Sequence, residues 1–399
     1  MVLLVPWVLV VWLWLRPAHA PADRKPSAAF RPVPTDAHSS GGKTTGPWGP
    51  LSFSRILIEP PEDFIPVVFT TPQPIRWFLP VADAAAAARF WQDLALPPAA
   101  RDSLQRATLS AGEAAGLLVR PDHATVLDLS PADRTKLYAA LAAHPRNALQ
   151  RDPFRCRVDA VEDWFEGSGL PADVVGLTRR LLYERNGSMY LSDHDLVLPR
   201  IPTAEGRLRY IKVMSRKTAL LGLLHVGPES DVDALVRYWG QGRRSKDIEP
   251  LLQSLARRPE GGRIDLVHLL PAFARRLLYT YPTPSDDPAD LNRDCHWTSL
   301  NFYSAEADDR FADLAQARTA LLRDYYQVNG APALGDIVML VRPDGQGIHS
   351  CVYVADDVVF TKNGAAFSVP WTLARLENVV AFYTVTEPIE VRRYRLKPR

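Results

Sequence analysis

The stretch that decides the fold is DCHWTSLNFY, residues 294–303, which follows a loop rich in proline and aspartate. Its large apolar residues have the spacing of a buried helix face, which predicts a helix that begins at Cys295. Asp294, immediately before the cysteine, is a natural N-cap residue for that helix. A second, amphipathic helix is predicted over residues 307–327.

Four apolar runs after these two helices predict a small antiparallel sheet, because they alternate or are continuous and are separated by turn residues. The predicted fold class is therefore α+β, in which a helix with a leading cysteine packs on a small antiparallel sheet after a mixed, mostly helical region. The four runs are residues 336–341, 349–355, 357–363 and 378–385.

The predicted helix start is a favourable position for a nucleophilic thiol. A cysteine attacks as the thiolate, and the unpaired N–H groups at a helix N-terminus favour that anion. Residue His349 opens the second apolar run, and we expect it to face Cys295 and take the thiol proton.

An imidazole that acts as a base needs a third group to fix its tautomer. Thr361 and Asn363 share one face of the next predicted strand, because side chains alternate with a period of two. Asn363 is the first candidate, since its amide oxygen can accept from an imidazole N–H without adding charge. Thr361 is the alternative third residue.

Residues 279–385 resemble the NlpC family of cell-wall cysteine peptidases, which are papain-like enzymes. The family has an Asp-Cys pair at a helix start, a Gly-Asp pair before an apolar strand, and a histidine that opens the following strand. These motifs read here as Asp294-Cys295, Gly335-Asp336 and His349. The resemblance implies a papain-like domain over residues 279–390.

The resemblance also implies the roles of individual residues. Cys295 would be the nucleophile, His349 the base and a polar residue on the next strand the orienting group. A tyrosine upstream of the cysteine would polarise the attacked carbonyl, and Tyr281 or Tyr279 is the candidate. The sequence departs from the family at His296-Trp297, where the family has Ser-Gly.

The three cysteines are too few for a disulfide scaffold and too scattered for a zinc pattern. The histidines form no ligand cluster, so we predict no metal, and the chemistry requires no cofactor. Cys351 is interpreted as a core residue, with a disulfide to Cys295 as the alternative. Cys156 is interpreted as a core thiol.

The N-terminus predicts export. Residues 2–15 form an uncharged apolar run, and the Ala18-His19-Ala20 triplet that follows is typical of a signal-peptidase site. Residues 1–20 are therefore predicted to be a signal peptide or, alternatively, an uncleaved anchor that tethers the chain to the membrane. Residues 21–50 contain many prolines and glycines and few aromatics, which predicts a disordered tether.

Residues 51–278 are predicted to form a mixed, mostly helical region of unknown role. Within it, Ser130-Pro131 has the pattern of a helix start and Asn186-Gly187 that of a hairpin turn. The basic tail, residues 391–399, is interpreted as a solvated terminus or as a segment attracted to anionic polymer or lipid. A formal net charge of +2 gives no reason to expect a nucleic-acid partner.

These features together predict an exported thiol hydrolase that cleaves an amide bond in an envelope peptide, such as a peptidoglycan stem. The peptide substrate follows from the family resemblance alone. One alternative is a non-catalytic envelope protein that binds or scaffolds other molecules on a decayed peptidase fold. Another is a thiol acyltransferase or lipid amidase on the same fold.

Overall fold

The computed structural model describes residues 44–65, 74–94, 96–109, 117–283, 293–365, 368–383 and 389–398. The predicted signal peptide and residues 21–43 of the predicted tether lie outside these ranges. In the part of the chain described, no helix has the length and apolar character needed to cross a membrane.

The architecture is α+β, as predicted, and its strands form several small antiparallel sheets. The strands are β1 (Thr44–Gly46), β2 (Gly49–Ile58), β3 (Trp77–Leu79), β4 (Thr108–Leu109), β5 (Leu117–Val119), β6 (Phe154–Arg157), β7 (Tyr183–Arg185), β8 (Ser188–Leu191), β9 (Lys217–Val226), β10 (Gly262–Asp265), β11 (Tyr325–Val328), β12 (Ile337–Val341), β13 (Gly347–Ala355), β14 (Val358–Lys362), β15 (Trp371–Arg375) and β16 (Glu390–Leu396).

Most of the helices precede the largest sheet in the chain. They are α1 (Ala84–Gln92), α2 (Pro98–Ala107), α3 (His123–Leu127), α4 (Pro131–Ala142), α5 (Ala148–Arg151), α6 (Val161–Phe165), α7 (Ala172–Leu181), α8 (Ala204–Met214), α9 (Val232–Trp239), α10 (Ser245–Ala256), α11 (Ala272–Leu277), α12 (Cys295–Leu300), α13 (Leu314–Asp324) and α14 (Leu376–Tyr383).

The largest sheet has six strands in the order β11-β16-β12-β13-β14-β15. One face carries Val352 and Phe360, which share a core with Trp297 of α12. The opposite face carries Cys351, which shares a smaller core with Val379 of α14. The sheet is therefore covered by α12 on one face and by α14 on the other.

Residues 376–383 are a helix, so the strand predicted over 378–385 is wrong for the residues described. A continuous apolar run fits a buried strand and a buried helix equally well. Here Leu376, Val379 and Val380 have helical spacing and pack against the sheet together with Tyr383.

The basic tail is part of the sheet, contrary to the prediction of a solvated terminus. Strand β16 is inserted between β11 and β12, where it pairs with both. Arg395 donates two hydrogen bonds, each 2.7 Å long, to the carboxylate of Asp336, which is 1% exposed. The positive charge of Arg395 thus compensates a buried carboxylate.

The end of the predicted tether is also part of the fold. Strand β1 pairs with β2, and Trp239 donates a 2.9 Å hydrogen bond from Nε1 to the carbonyl oxygen of Trp48. The core then continues across the domain boundary predicted at residue 278, because Phe273 packs edge-on against Trp297 with ring centroids 5.1 Å apart. The two predicted regions therefore share one hydrophobic core.

The helical region is organised around a buried ion pair between α4 and the turn after β8. Arg134 donates to Asp193 at 3.3 Å, and Tyr138 donates to the same carboxylate at 2.7 and 2.8 Å. Arg134 is fully buried and also donates to the carbonyl oxygens of Val126 and Leu129. Its charge is therefore paired inside the core, and all three of its nitrogen atoms donate there.

Replacing Arg134 with Met should lower the free energy of unfolding by about 3–5 kcal/mol, because the substitution leaves a buried carboxylate without its positively charged partner. The matched control is Arg157→Met, since Arg157 pairs with Asp159 on the surface, where their side chains are 45% and 63% exposed. That control should cost only about 0–1 kcal/mol. Urea unfolding measures the free energy of unfolding of both variants. An equal decrease in the two variants would contradict this account.

Candidate active site

The first turn of α12 is held in place by Asp294. One oxygen of its side chain accepts hydrogen bonds from the backbone N–H groups of His296 at 2.8 Å and Trp297 at 3.1 Å. The predicted N-cap is therefore confirmed. Because the cap fixes the start of the helix, it also fixes the position of Cys295.

The Cys295 side chain is buried, with 6% of its surface exposed. The pKa of the thiol is raised to about 12, mainly by burial and also by the negative charge of Asp294, while the positive charge of Lys362 acts in the opposite direction. The thiol is therefore protonated at neutral pH in this conformation.

His349 is fully buried, and its Nε2 atom lies 3.0 Å from the hydroxyl oxygen of Thr361. The Thr361 hydroxyl donates its single proton to the Asn363 side-chain oxygen at 2.8 Å. Thr361 must therefore accept from His349, which places the imidazole proton on Nε2. Thr361, the alternative third residue, contacts the imidazole directly, whereas Asn363 acts on it through Thr361.

The second imidazole nitrogen, Nδ1, is buried and has no hydrogen-bond partner among the residues that the structure describes. Since the proton is on Nε2, Nδ1 carries a lone pair and is the basic atom of the ring. The pKa of His349 is lowered to about 3, mainly by burial and also by the nearby charge of His296. The imidazole is therefore neutral and has one unused acceptor.

The imidazole of His349 and the start of α12 lie on opposite faces of β13. His349 stacks beneath Tyr383 of α14, with ring centroids 4.4 Å apart. Ser350, the next residue, points towards α12 and donates a 3.2 Å hydrogen bond to the Cys295 carbonyl oxygen. The predicted direct approach of His349 to the helix start is therefore not observed, and the thiol makes no hydrogen bond to Nδ1.

The thiol of Cys295 and the imidazole of His349 nevertheless have two neighbours in common, Tyr383 and His296. Burial raises the pKa of Tyr383, which covers His349, and ionisation of Cys295 would raise it further. A ring nitrogen of His296 lies within 4.8 Å of the Cys295 sulfur. Electrostatic interactions thus connect Cys295 to two groups that also interact with His349.

The tyrosines proposed to polarise a carbonyl are elsewhere. Tyr281 donates from its hydroxyl to the carbonyl oxygen of Ile58 at 3.1 Å, and Tyr279 donates to that of Leu220 at 2.5 Å. Both hydroxyls bind the backbone of the β2–β9 pair. Both hydroxyl protons are therefore already used, and a role of either tyrosine at Cys295 stays a prediction.

Sequence reasoning missed Lys362, which is 1% exposed and donates to the Gly364 carbonyl oxygen at 2.5 Å. Burial lowers its pKa to about 8, while the negative charge of Asp294, and that of Cys295 when the thiol is ionised, act in the opposite direction. Strand alternation from Thr361 could have placed Lys362 on the face that carries α12. Ser350, His296 and Tyr383 were also missed as neighbours of the site.

One group of side chains in the described part of the chain has the composition and spacing of a possible metal site. It consists of Asp294, Cys295 and His296, whose ligand atoms lie within 4.8 Å of one another. Asp294 already caps α12, and Nδ1 of His296 lies 2.9 Å from the Ser350 hydroxyl. The alternative disulfide is not formed, because Cys351 and Cys295 are both free thiols.

Comparisons of the chain with protein-family models, with curated proteins and with solved structures find no match. The resemblance to the NlpC family therefore rests on the sequence motifs around Cys295, Gly335 and His349 and stays a prediction.

We predict that His349 remains neutral, with its proton on Nε2, at about pH 5. Imidazole ¹⁵N chemical shifts measure this directly. The folded pKa of about 3 lies below the ordinary value of 6.5, so the unfolded chain binds the proton first as the pH falls. The free energy of unfolding should therefore fall between about pH 6.5 and about pH 3.

The variant His349→Gln should lose this part of the pH dependence, whereas the same substitution at the exposed His123 should retain it. Protonation of His349 above about pH 5, or a proton on Nδ1, would contradict the structure described here.

Proposed function

We propose that this chain is a thiol hydrolase that cleaves an amide bond, with Cys295 as nucleophile and His349 as general base. The observation that carries this proposal is the buried Nδ1 atom of His349, which has no partner. Leaving a buried acceptor unpaired costs about 1–3 kcal/mol. Perturbed and unpaired groups of this kind concentrate at functional sites, where the unused atom has a task during reaction.

A papain-like arrangement is the interpretation of the C-terminal region that we favour. Its support is the order of the parts: a capped helix that begins with a cysteine, an antiparallel sheet, a histidine on one strand and a polar residue on the next. Thr361 is in hydrogen-bond contact with the imidazole, at 3.0 Å, as the orienting residue of such a site would be.

The proposed reaction begins when the Cys295 sulfur attacks the amide carbonyl carbon while Nδ1 of His349 takes the thiol proton. The imidazolium that forms keeps its Nε2–H bond to Thr361. It returns the proton to the leaving amine, and a thioester on Cys295 remains. Water then attacks the thioester with the same base, which releases the acid and restores the thiol.

This reaction requires the sulfur and Nδ1 to come within hydrogen-bond distance when the substrate binds. Catalytic hydrogen bonds are often long in the free enzyme and tighten in the complex. The buried positive charge of Lys362 favours the anionic sulfur and so assists the first step. We therefore interpret the neutral thiol and the neutral imidazole as the state of the catalytic pair before substrate binds.

The proposed substrate is an envelope peptide of the peptidoglycan-stem type, and the proposed location is the cell envelope. The substrate rests on the NlpC resemblance, and the location rests on the apolar run at residues 2–15 with the triplet that follows it. A lipid amidase or acyltransferase would use the same thiol chemistry and would act on acyl lipids instead of muropeptides.

The rival is a non-catalytic binding protein, and the burial of both groups favours it. Cys295 is 6% exposed and His349 is fully buried, so a substrate must displace covering side chains to reach them. A protein that has lost the reaction would show the same burial. Activity measurements separate the two functions.

We expect muropeptides to be cleaved by the full chain and not by Cys295→Ala. His349→Ala should lower kcat/KM by about 10³-fold, because general base catalysis supplies effects of this size. Thr361→Val should have a smaller effect of about 10-fold, since the imidazole keeps its place but loses its acceptor. Mass spectrometry of the products measures each rate.

Two matched controls test the assignment of roles. Cys351→Ala removes a second buried thiol and should retain most of the activity. His296→Ala removes the imidazole next to the nucleophile and should cost less than His349→Ala. Full activity of Cys295→Ala would overturn the proposal, and a larger loss in His296→Ala than in His349→Ala would reassign the base.

A further inference from the structure

The sheet β6-β8-β7 carries cations close to α14. Arg155 of β6 pairs in register with Tyr190, and Tyr190 pairs on its other side with Tyr183. Arg185, two residues beyond Tyr183, therefore lies on the same face as Arg155. Lys217 begins β9 close by, since the positive charge of Arg155 contributes to lowering its pKa to about 8, after the larger effect of burial.

These three cations have no acidic partner among the residues that the structure describes. Across the ranges that the structure describes, Arg155, Arg185 and Lys217 form no ion pair with a carboxylate. Arg155 instead interacts with the Tyr190 side chain and lies over the ring of Phe382, with its Cζ atom 3.0 Å from the ring centroid, and Arg185 lies 4.8 Å from the ring centroid of Tyr190. Partly buried cations close together raise the free energy of the protein unless an anion compensates them.

An unused hydrogen-bond donor also indicates that these cations lack a compensating anion. The Nε atom of Arg185 is buried and has no hydrogen-bond partner in the described part of the chain. In contrast, Arg157 lies two residues after Arg155 on the same face and forms an ion pair with Asp159 at 2.8 Å. The missing partner is thus specific to the cations near Tyr190 and is not a property of the whole face.

The position of these cations connects them to the candidate active site. Phe382, which packs under Arg155, is followed by Tyr383, and Tyr383 stacks on the imidazole of His349. Burial lowers the pKa of Arg155, and the charge of Tyr383 is among the opposing effects, so the two side chains lie close together. A molecule bound by Arg155 would therefore lie beside the helix that covers the base.

We propose that Arg155, Arg185 and Lys217 bind a carboxylate group of the substrate. The planar guanidinium presents parallel N–H donors that match the two oxygens of a carboxylate, and stacking on Phe382 and Tyr190 holds the guanidinium planes in place. The assignment rests on the proposed function and adds a substrate class to it: a peptide with a free carboxylate near the amide that is cleaved. Phosphate has similar oxygen chemistry and is separated by experiment.

The test measures binding without turnover, in the full chain that carries Cys295→Ala. Isothermal calorimetry compares acetylated alanyl-glutamate with its fully amidated counterpart, and inorganic phosphate is added as a competitor at constant ionic strength. The carboxylate peptide should bind at least about tenfold more tightly, because charge-assisted hydrogen bonds are lost in the amide. Arg155→Gln and, separately, Lys217→Gln should remove this difference.

Arg157→Gln is the matched control and should retain the preference, since Arg157 already has a partner. Thermal unfolding of each variant shows whether it is folded. Equal binding of the two peptides, a preference that survives both Arg155→Gln and Lys217→Gln, or binding of phosphate that the peptide does not displace would overturn the proposal. Failure of the thiol reaction with an intact preference would count against the proposed function alone.

Discussion

The hydrogen bond between His349 and Thr361 is the interaction on which the candidate site depends. It exists because β13 and β14 are neighbours in the sheet and carry the two side chains on one face. Thr361 gives its only proton to Asn363, so the imidazole proton stays on Nε2 and the lone pair on Nδ1. A shift of one residue in this strand pair would turn every side chain to the other face and remove the base.

Local sequence patterns predicted the elements that need only short-range information. The N-caps at Ser130 and Asp294 accept backbone hydrogen bonds, and Asn186-Gly187 forms a hairpin turn with positive φ at both residues. Strand β16 could not be predicted in this way, because it is rich in charge and its place between β11 and β12 depends on residues far away in the chain. Its ion pair, from the partly exposed Arg395 to the buried Asp336, joins residues that are 59 positions apart.

The candidate site was predictable in its residue types and less so in its contacts. Period-two alternation placed Thr361 and Asn363 on one face, but only the structure shows that Thr361 is the one that contacts His349. Tyr281 was assigned by its position in the chain, yet its hydroxyl bonds to a distant strand carbonyl. Burial of Cys295 could not be read from the sequence, because it depends on long-range packing around α12.

The central claim is that Cys295 forms a covalent intermediate with the base supplied by His349. The most direct measurement is acid quenching of the chain during incubation with muropeptides, followed by peptide mapping by mass spectrometry. The account predicts an acyl group on the Cys295 sulfur that is present in the full chain and in Cys351→Ala and is strongly reduced in His349→Ala. No acyl group on Cys295 while muropeptides are cleaved, or acylation that is unaffected by His349→Ala, would contradict it.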